Sequence, residues 1–260
     1  MSLFGRLFGG SGRRGADDAD PGPAFTAPLA PERTIAIIGD IHGCDELLSR
    51  LLDKLDAVGE RDMTIVTVGD YVDRGEQSRE TLDRLQSEAK SGRMICLSGN
   101  HEAMLLDFVD RPEEHGARWL RNGGLQTLAS FGVGGISDIS SGTDLVTARD
   151  RFVNALGGTV DWLKELPDRF QSGNVAVVHA GADPDVPIAM QQTRHLHWGH
   201  RKFQARTRAD GTWIIHGHTI VPEVEAYRGK IGVDTGAYAT GHLSAVVIAP
   251  DGSTQVVQTP

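Results

Sequence analysis

Seven consecutive residues, Gly69-Asp70-Tyr71-Val72-Asp73-Arg74-Gly75, bring two carboxylates and a guanidinium into five positions. Such a cluster is costly unless something cationic binds it. The preceding residues 63–68, rich in Ile, Val and Thr, read as a buried strand. Asp70 therefore falls at the strand's C-terminal end, where α/β sheets place their ligands. That makes Asp70 a candidate metal ligand. Asp73, one turn further on, can orient a neighbouring base, and Arg74 offers the forked donor geometry that matches a phosphate. The combination suits metal-assisted chemistry on a phosphate.

The same grammar recurs along the chain. Thr34-Ile35-Ala36-Ile37-Ile38 reads as a strand ending in Gly39-Asp40-Ile41-His42-Gly43, and residues 93–97 lead to Gly99-Asn100-His101-Glu102. Residues 174–178 precede His179-Ala180-Gly181, and 212–215 precede His216-Gly217-His218-Thr219. Each motif alone is a weak signal. An Asp-x-His pair shares a face only while the backbone is extended, and Gly-Asn followed by His-Glu makes an ordinary turn and helix start. Five strand-like runs that all end in Gly, Asp, Asn or His are far more specific. Carboxylates, imidazoles and one amide oxygen are the donor set of two borderline or hard cations.

The elements that must position these groups follow from periodicity. Leu47, Leu48, Leu51, Leu52 and Leu55 have helical spacing after the first motif, a polar helix over 78–90 follows the second, and another helix follows the third. Three such βα units predict a parallel sheet core. Residues 112–166 read as a helical insertion anchored by Trp119-Leu120 and 125–131, with a Gly- and Ser-rich loop over 132–142. Residues 224–227 and 230–233 flank the turn Arg228-Gly229, and 243–248 close the domain, which predicts an antiparallel second sheet. The expected fold class is α/β, two sheets with helices outside. Residues 1–32, rich in Gly, Pro, Ala and Asp, read as a disordered N-terminal tail, and 33–260 as the folded domain.

Composition sets the bounds. A chain of 260 residues suits one α/β domain plus a tail. A net charge of −9 argues against general binding to nucleic acid, which requires many phosphates to be neutralised by Lys and Arg. Cys44 and Cys96 offer no disulfide framework and read as reduced, Cys44 as a small buried residue. No run approaches the roughly 18 apolar residues of a membrane span, and a signal peptide's apolar core is missing. The expectation is a soluble, cytoplasmic protein without stable membrane insertion.

The ordered set of five motifs resembles the phosphoprotein phosphatase branch of the calcineurin-like metallophosphoesterases, with the second and third motifs matching letter for letter. Residues 119–124, 127–132 and 231–236 also resemble its small bacterial serine/threonine phosphatase-like members. The resemblance implies a four-layer α/β/β/α sandwich holding two divalent cations, manganese first, with iron, zinc, nickel and magnesium as alternatives. It implies that Asp40, His42 and Asp70 hold the first metal, that Asp70 bridges to the second, and that Asn100, His179 and His218 complete it. A metal-bound hydroxide would then attack a phosphomonoester directly, with no phosphoenzyme. His101 would protonate the leaving oxygen, Asp73 would hold its imidazole, and Arg74 would bind the phosphate oxygens. The implied substrate is a phosphorylated protein or a small phosphoester.

Two further readings stand beside this one. A symmetrical bis(5'-nucleosyl)-tetraphosphate hydrolase shares the motifs, and a non-catalytic phosphate-binding module is disfavoured because every expected ligand is present. The sequence also departs from the resembled pattern. His200, in Trp198-Gly199-His200-Arg201-Lys202-Phe203, stands where the bacterial pattern has Arg, and His242 stands where Arg or Lys is common. Ile220 replaces a ligating His of other branches. His216 reads as an ordinary strand residue, Asp234 and Tyr238 as turn and packing residues, and Arg118, Trp119 and Arg121 as parts of a helical cap.

Overall fold

The computed structural model describes residues 24–59 and 62–260. In chain order these form β1 (Ile35–Ile38), α1 (Asp45–Val58), β2 (Thr64–Thr67), α2 (Ser78–Lys90), β3 (Met94–Cys96) and α3 (Asn100–Asp110). The insertion follows as α4 (Pro112–Trp119), a π-helical turn (Leu120–Gly124), α5 (Leu125–Ser130), α6 (Thr143–Leu156) and α7 (Thr159–Glu165). Then come β4 (Arg169–Ser172), β5 (Val175–Val178), α8 (Thr193–Trp198), β6 (Trp213–His216), β7 (Glu225–Tyr227), β8 (Lys230–Gly232), α9 (Ala237–Thr240), β9 (Ser244–Ile248) and β10 (Thr254–Gln258).

Alternation along the strands fixes the layers. Ile35, Ile37, Val66, Val246 and Ile248 from one sheet meet Val175, Val177, Ile215 and Ile231 from the other in a single apolar layer. Their neighbours Ala36, Ile38, Ile65, Ala245 and Val247 face the opposite way, under Leu48, Leu51, Leu55, Leu82, Leu85 and Leu105 of α1, α2 and α3. On the far side of the second sheet Ala176, Val178 and Ile214 pack against Leu196 and Phe203. Both faces of the central strands are dry, so they read as continuous apolar runs. The four-layer sandwich is the expected one.

Among the described residues each sheet has five strands, ordered β10-β9-β1-β2-β3 and β4-β5-β6-β8-β7. β1, β2 and β3 are parallel, as the βα grammar requires, and β9 runs antiparallel between β1 and β10. The second sheet is mixed rather than antiparallel: β5, β6 and β8 are parallel, flanked by antiparallel β4 and β7. The Arg228-Gly229 turn does join a hairpin, β7–β8. A hairpin fixes only how its own two strands pair, and the apolar residues of β9 are satisfied equally well in the first sheet.

Residues 1–23 of the expected tail lie outside the described residues. Residues 24–32 pack on the second sheet: Phe25 meets Trp213 edge to face with ring centroids 5.0 Å apart, and the Trp213 Nε1–H donates to the Ala27 carbonyl at 3.0 Å. Asn174 grips the same segment, donating to Pro28 O at 2.8 Å and accepting from Ala30 N at 2.9 Å. Among the described residues no helix is long and apolar enough to cross a membrane.

Because Phe25 is half-buried, Phe25→Ala should lower stability by about 1–2 kcal/mol, less than the about 3–5 kcal/mol of a fully buried Phe. Denaturant unfolding measures it, and an unchanged midpoint would mean that this segment adds nothing to the fold.

Candidate metal centre

Register brings the motif loops to one edge. Ile38 pairs with Thr67, Thr67 with Cys96, and Val178 with His216, so the loops after β1, β2, β3, β5 and β6 leave their sheets side by side. At that edge the backbone turns sharply. His42 (φ 46°), Asp70 (55°), Asp73 (73°), Arg74 (70°) and His218 (64°) all adopt the left-handed conformation; among the described non-glycine residues only Arg228 does so elsewhere. Each such residue costs about 1 kcal/mol or more, so the surroundings must hold it there.

Glu102 supplies much of that restraint. Its buried carboxylate accepts from Asp70 N (2.8 Å), Tyr71 N (2.8 Å) and Gly99 N (2.9 Å), tying the β2 loop to the start of α3. Close approaches do the rest. A Cβ on Gly217 would lie 1.9 Å from Asp40 Oδ1, and one on Gly123, whose φ is 108°, would lie 2.5 Å from Arg74 N.

Asp70, 1 % exposed, occupies the centre. Its Oδ2 faces His42 Nε2 at 3.6 Å and His101 Nε2 at 3.8 Å, while Oδ1 faces His179 Nε2 at 3.3 Å and accepts from His101 N at 3.0 Å. His179 Nε2 is also 2.8 Å from Asn100 Oδ1. His218, the least buried of the group, shares a donor cluster with Asp70 and His179, and His42 shares one with Asp70 and His101. The Asp40 carboxylate accepts from His218 N at 3.1 and 3.0 Å and keeps further lone pairs on each oxygen. All six residues expected as ligands, Asp40, His42, Asp70, Asn100, His179 and His218, thus gather around one carboxylate.

The donor chemistry fits cations. His42 Nδ1 donates to Val72 O at 2.8 Å and His179 Nδ1 to Val68 O at 3.1 Å, which leaves both Nε2 atoms as bare lone pairs facing carboxylate and amide oxygens. Acceptors pointing at acceptors repel unless a cation lies between them. Burial, then the neighbouring histidines, hold His42 and His179 well below the ordinary imidazole range, so a proton does not serve. Burial pushes the Asp70 carboxyl up to about 7 against the pull of His101, and burial with the charges of Asp234 and Asp70 raises Asp40 well above its usual value. A divalent cation would reverse both shifts.

Beside this centre His101 Nδ1 contacts Asp73 Oδ2 at 2.6 Å. Asp73 is fully buried and accepts from Thr127 Oγ1 at 2.7 Å and from Trp119 Nε1, which is 3.0 Å from each oxygen. Burial raises its carboxyl to about 8 against these donors and Arg74, so the pair keeps a proton between Nδ1 and Oδ2. Arg74 Nη2 lies 3.3 Å from His101 Nε2, and its guanidinium stacks 4.8 Å over the Tyr238 ring.

Four residues here were missed or read too plainly in the sequence. Trp119 is more than a cap residue, since it is fully buried against Phe108 and Phe152 and donates to Asp73. Thr127 comes from the same insertion. Glu102 had one signal, an acid three residues after the start of a helix, which is half of a capping box. Asp234, 3 % exposed, lies close enough to raise Asp40 and accepts from Gly236 N at 2.8 Å. The remaining candidates fall elsewhere. His216 ends β6 against Phe203, His242 contacts Thr259 O at 3.0 Å on the surface, and His200 sits beside Asp183 and His195. Cys44 is half-buried and its thiol is pushed by burial up to about 11.

A two-sheet sandwich whose strand ends gather carboxylates, imidazoles and an amide oxygen is a scaffold suited to holding metal ions. The family model for calcineurin-like phosphoesterases matches residues 33–222, and the chain belongs to that family. It is 37 % identical over 222 residues to serine/threonine-protein phosphatase 1 of Salmonella typhimurium, covering 82 % of this chain and 90 % of the relative. It is also 38 % identical over 151 residues to the symmetrical bis(5'-nucleosyl)-tetraphosphatase of Paracidovorax citrulli, covering 56 % of this chain and only 44 % of that one. A crystal structure provisionally described as a diadenosine tetraphosphatase has the same fold, with a TM-score of 0.57 at 23 % identity, covering 90 % of this chain and 99 % of that one. The resemblance read from the motifs is borne out at the level of the family.

Glu102→Gln would turn an amide N–H₂ toward backbone N–H groups that now share a carboxylate. We expect a loss of about 1–3 kcal/mol of stability with metals absent, measured by denaturant unfolding. An unchanged stability would mean that Glu102 does not hold these loops.

Proposed function

We propose that the chain is a two-metal phosphomonoesterase that acts on phosphorylated protein side chains of the serine/threonine type. The observation that carries this reading is the two-sided environment of Asp70, with His179 and Asn100 toward one oxygen and His42 and His101 toward the other. Asp40, His42 and Asp70 would hold one cation, and Asp70, Asn100, His179 and His218 the second. Bound there, the cations supply Lewis-acid activation of water and positive charge for the phosphoryl oxygens.

The chain's own groups do the rest. Arg74, partly exposed and forked, binds the non-bridging phosphate oxygens, and that draws its guanidinium off His101 Nε2. The freed Nε2 takes up a proton from solvent and passes it to the leaving oxygen as the P–O bond breaks, which returns His101 to the neutral imidazole. Asp73 keeps Nδ1 protonated and the ring aimed, and Trp119 and Thr127 keep Asp73 aimed in turn. His101 is thus the general acid and Asp73 its orienting partner.

The ground beside the centre supports a single phosphate. A cavity of about 600 Å³ is lined by Arg74, Arg121, Asn122, Gln126, Asp138 and Tyr238 among others, two guanidiniums offset by one acid. Trp119 is fully buried and offers no stacking face, Trp198 carries Arg118 on its ring at 4.6 Å, and Tyr238 already holds Arg74. A substrate with four phosphates and two bases would want more cations and free aromatic faces. The likeness to the tetraphosphatase keeps a second reading, hydrolysis of dinucleoside tetraphosphate, under test. Catalytic efficiency on phosphopeptides, an aryl phosphate and dinucleoside tetraphosphate, each with Mn²⁺, decides between them. The phosphomonoesters should be preferred, and at least about tenfold higher efficiency on the dinucleotide would install the second reading in its place.

Asp70→Asn should lower both metal content and turnover, because one residue serves two positions. Metal analysis of the purified variant checks this, and two retained metals with near-normal turnover would remove the bridging role. His101→Asn should cut turnover by roughly 10²–10⁴ while metals stay bound. The loss should shrink on an aryl phosphate with an acidic phenol, which needs little protonation. An equal loss across leaving groups would argue against the acid role.

A further inference from the structure

A second group of donors begins four residues beyond His179, with Asp183 on the loop from β5 to α8, His195 within α8 and His200 on the turn after it. Asp183, His195 and His200 each present one ligand atom, and these atoms lie within 4.8 Å of one another. They are unlike surface residues in ordinary hydrogen-bonded contact. The Asp183 Oδ2 to His200 Nε2 distance is 3.7 Å, too long for a hydrogen bond, and the His195 and His200 ring centroids are 4.6 Å apart. His200 Nδ1 is buried with no hydrogen-bond partner among the described residues. A side chain that is only 14 % exposed thus has no hydrogen bond to orient it at either nitrogen, in a spot where Asp183 and His195 converge.

The distances match a metal polyhedron better than a hydrogen-bond network. Ligand atoms about 2.0–2.1 Å from a tetrahedral zinc are separated from each other by about 3.4 Å. The Asp183 to His200 spacing is close to that edge, and all three ligand atoms lie within 4.8 Å of one another.

The backbone around the three is fixed before anything binds. Gln191 accepts from Asp183 N at 2.9 Å and donates to Asp183 O at 2.8 Å, and Arg208 donates to the same carbonyl at 3.0 Å. Asp183 Oδ1 accepts from Asp185 N at 3.1 Å, which leaves Oδ2 toward His200. Helix α8 is clamped by Asp168, which takes Thr193 Oγ1 at 2.6 Å and His197 Nε2 at 2.9 Å. The nearby cations Lys202 and Arg206 are occupied by Asp185, at 2.6 and 3.0 Å. They do not neutralise Asp183.

We propose that Asp183, His195 and His200 form a further binding site for a divalent transition metal of zinc-like preference, separate from the centre at Asp70. Two imidazoles and one carboxylate supply three protein ligands, and a water or an anionic group takes the fourth position. None of the three belongs to the ligand set proposed at Asp70.

The test compares metal stoichiometry between chains. Metal-free full-length wild type, His195→Gln, His200→Gln and, as a surface control, Lys202→Ala are dialysed to equilibrium against Zn²⁺ and analysed for bound metal. Wild type and Lys202→Ala should bind one equivalent more than either histidine variant. Loading with Co²⁺ gives a second readout, a visible band of low-coordinate Co²⁺ that is weaker in both histidine variants than in wild type. Equal stoichiometry in wild type and both histidine variants overturns the proposal. The readout is a difference between chains, so it stands or falls independently of how many metals the centre at Asp70 holds.

Discussion

One buried carboxylate joins the pieces on which the centre depends. Glu102 accepts three backbone N–H groups from two loops that follow different strands, and it does so from the first turn of α3, the helix that also carries Asn100 and His101. Asp70 sits in the left-handed conformation between two of those donors. Without the clamp its N–H and that of Tyr71 would be buried and unpaired, and the conformation that turns the Asp70 side chain toward four imidazoles would lose its support. The helix start, the strand end and the central carboxylate are therefore a single mechanical unit.

Charge explains why such a unit is tolerated. Asp40, Asp70, Asp73, Glu102 and Asp234 are all nearly inaccessible, and Arg74 is the one guanidinium facing them among the described residues. Burial raises every one of these carboxyls, and it depresses His42, His179 and His218. The result is a surplus of oxygen lone pairs beside neutral imidazoles, a poor arrangement for water alone and a good one for cations. A cation held there would offset both the strain in the loops and the electrostatic cost.

Much of this was legible in the sequence because strand ends are local. A run of apolar residues followed by Gly-Asp or Gly-Asn identifies both the element and the side of the sheet on which the polar group emerges, and in-register parallel pairing does the rest. What could not be read was whatever depends on partners distant in sequence. Trp119 and Thr127 reach Asp73 across 46 and 54 positions, and nothing in their local pattern separates them from packing residues. The mixed second sheet was hidden for a related reason. The sequence around Arg228-Gly229 declares a hairpin, but the choice of β6 as the next neighbour of β8 is made by crossover packing over Ile215 and Ile231. Residues 24–32 looked like tail by composition, and only their alternation toward Trp213 and Asn174 gives them a place.

The insertion then takes on a role beyond covering the sheet. It supplies two donors to Asp73, and at Gly123 its π-helical turn touches the backbone of Arg74, whose N–H donates to Gly123 O at 3.4 Å. The residues on either side of that glycine, Leu120 to Gln126, form one wall of the cavity beside the centre. A change in the wall thus reaches Arg74 through the Gly123 backbone contact and the proposed acid through Asp73. In the proposed reading, the insertion therefore bears on both the cavity wall and the groups that would meet the phosphate. Helix α8 and the turn bearing His200 are anchored separately, by Asp168 and by the Leu196 carbonyl, which accepts from Ala180 N, and α8 meets the insertion where Arg118 stacks on Trp198.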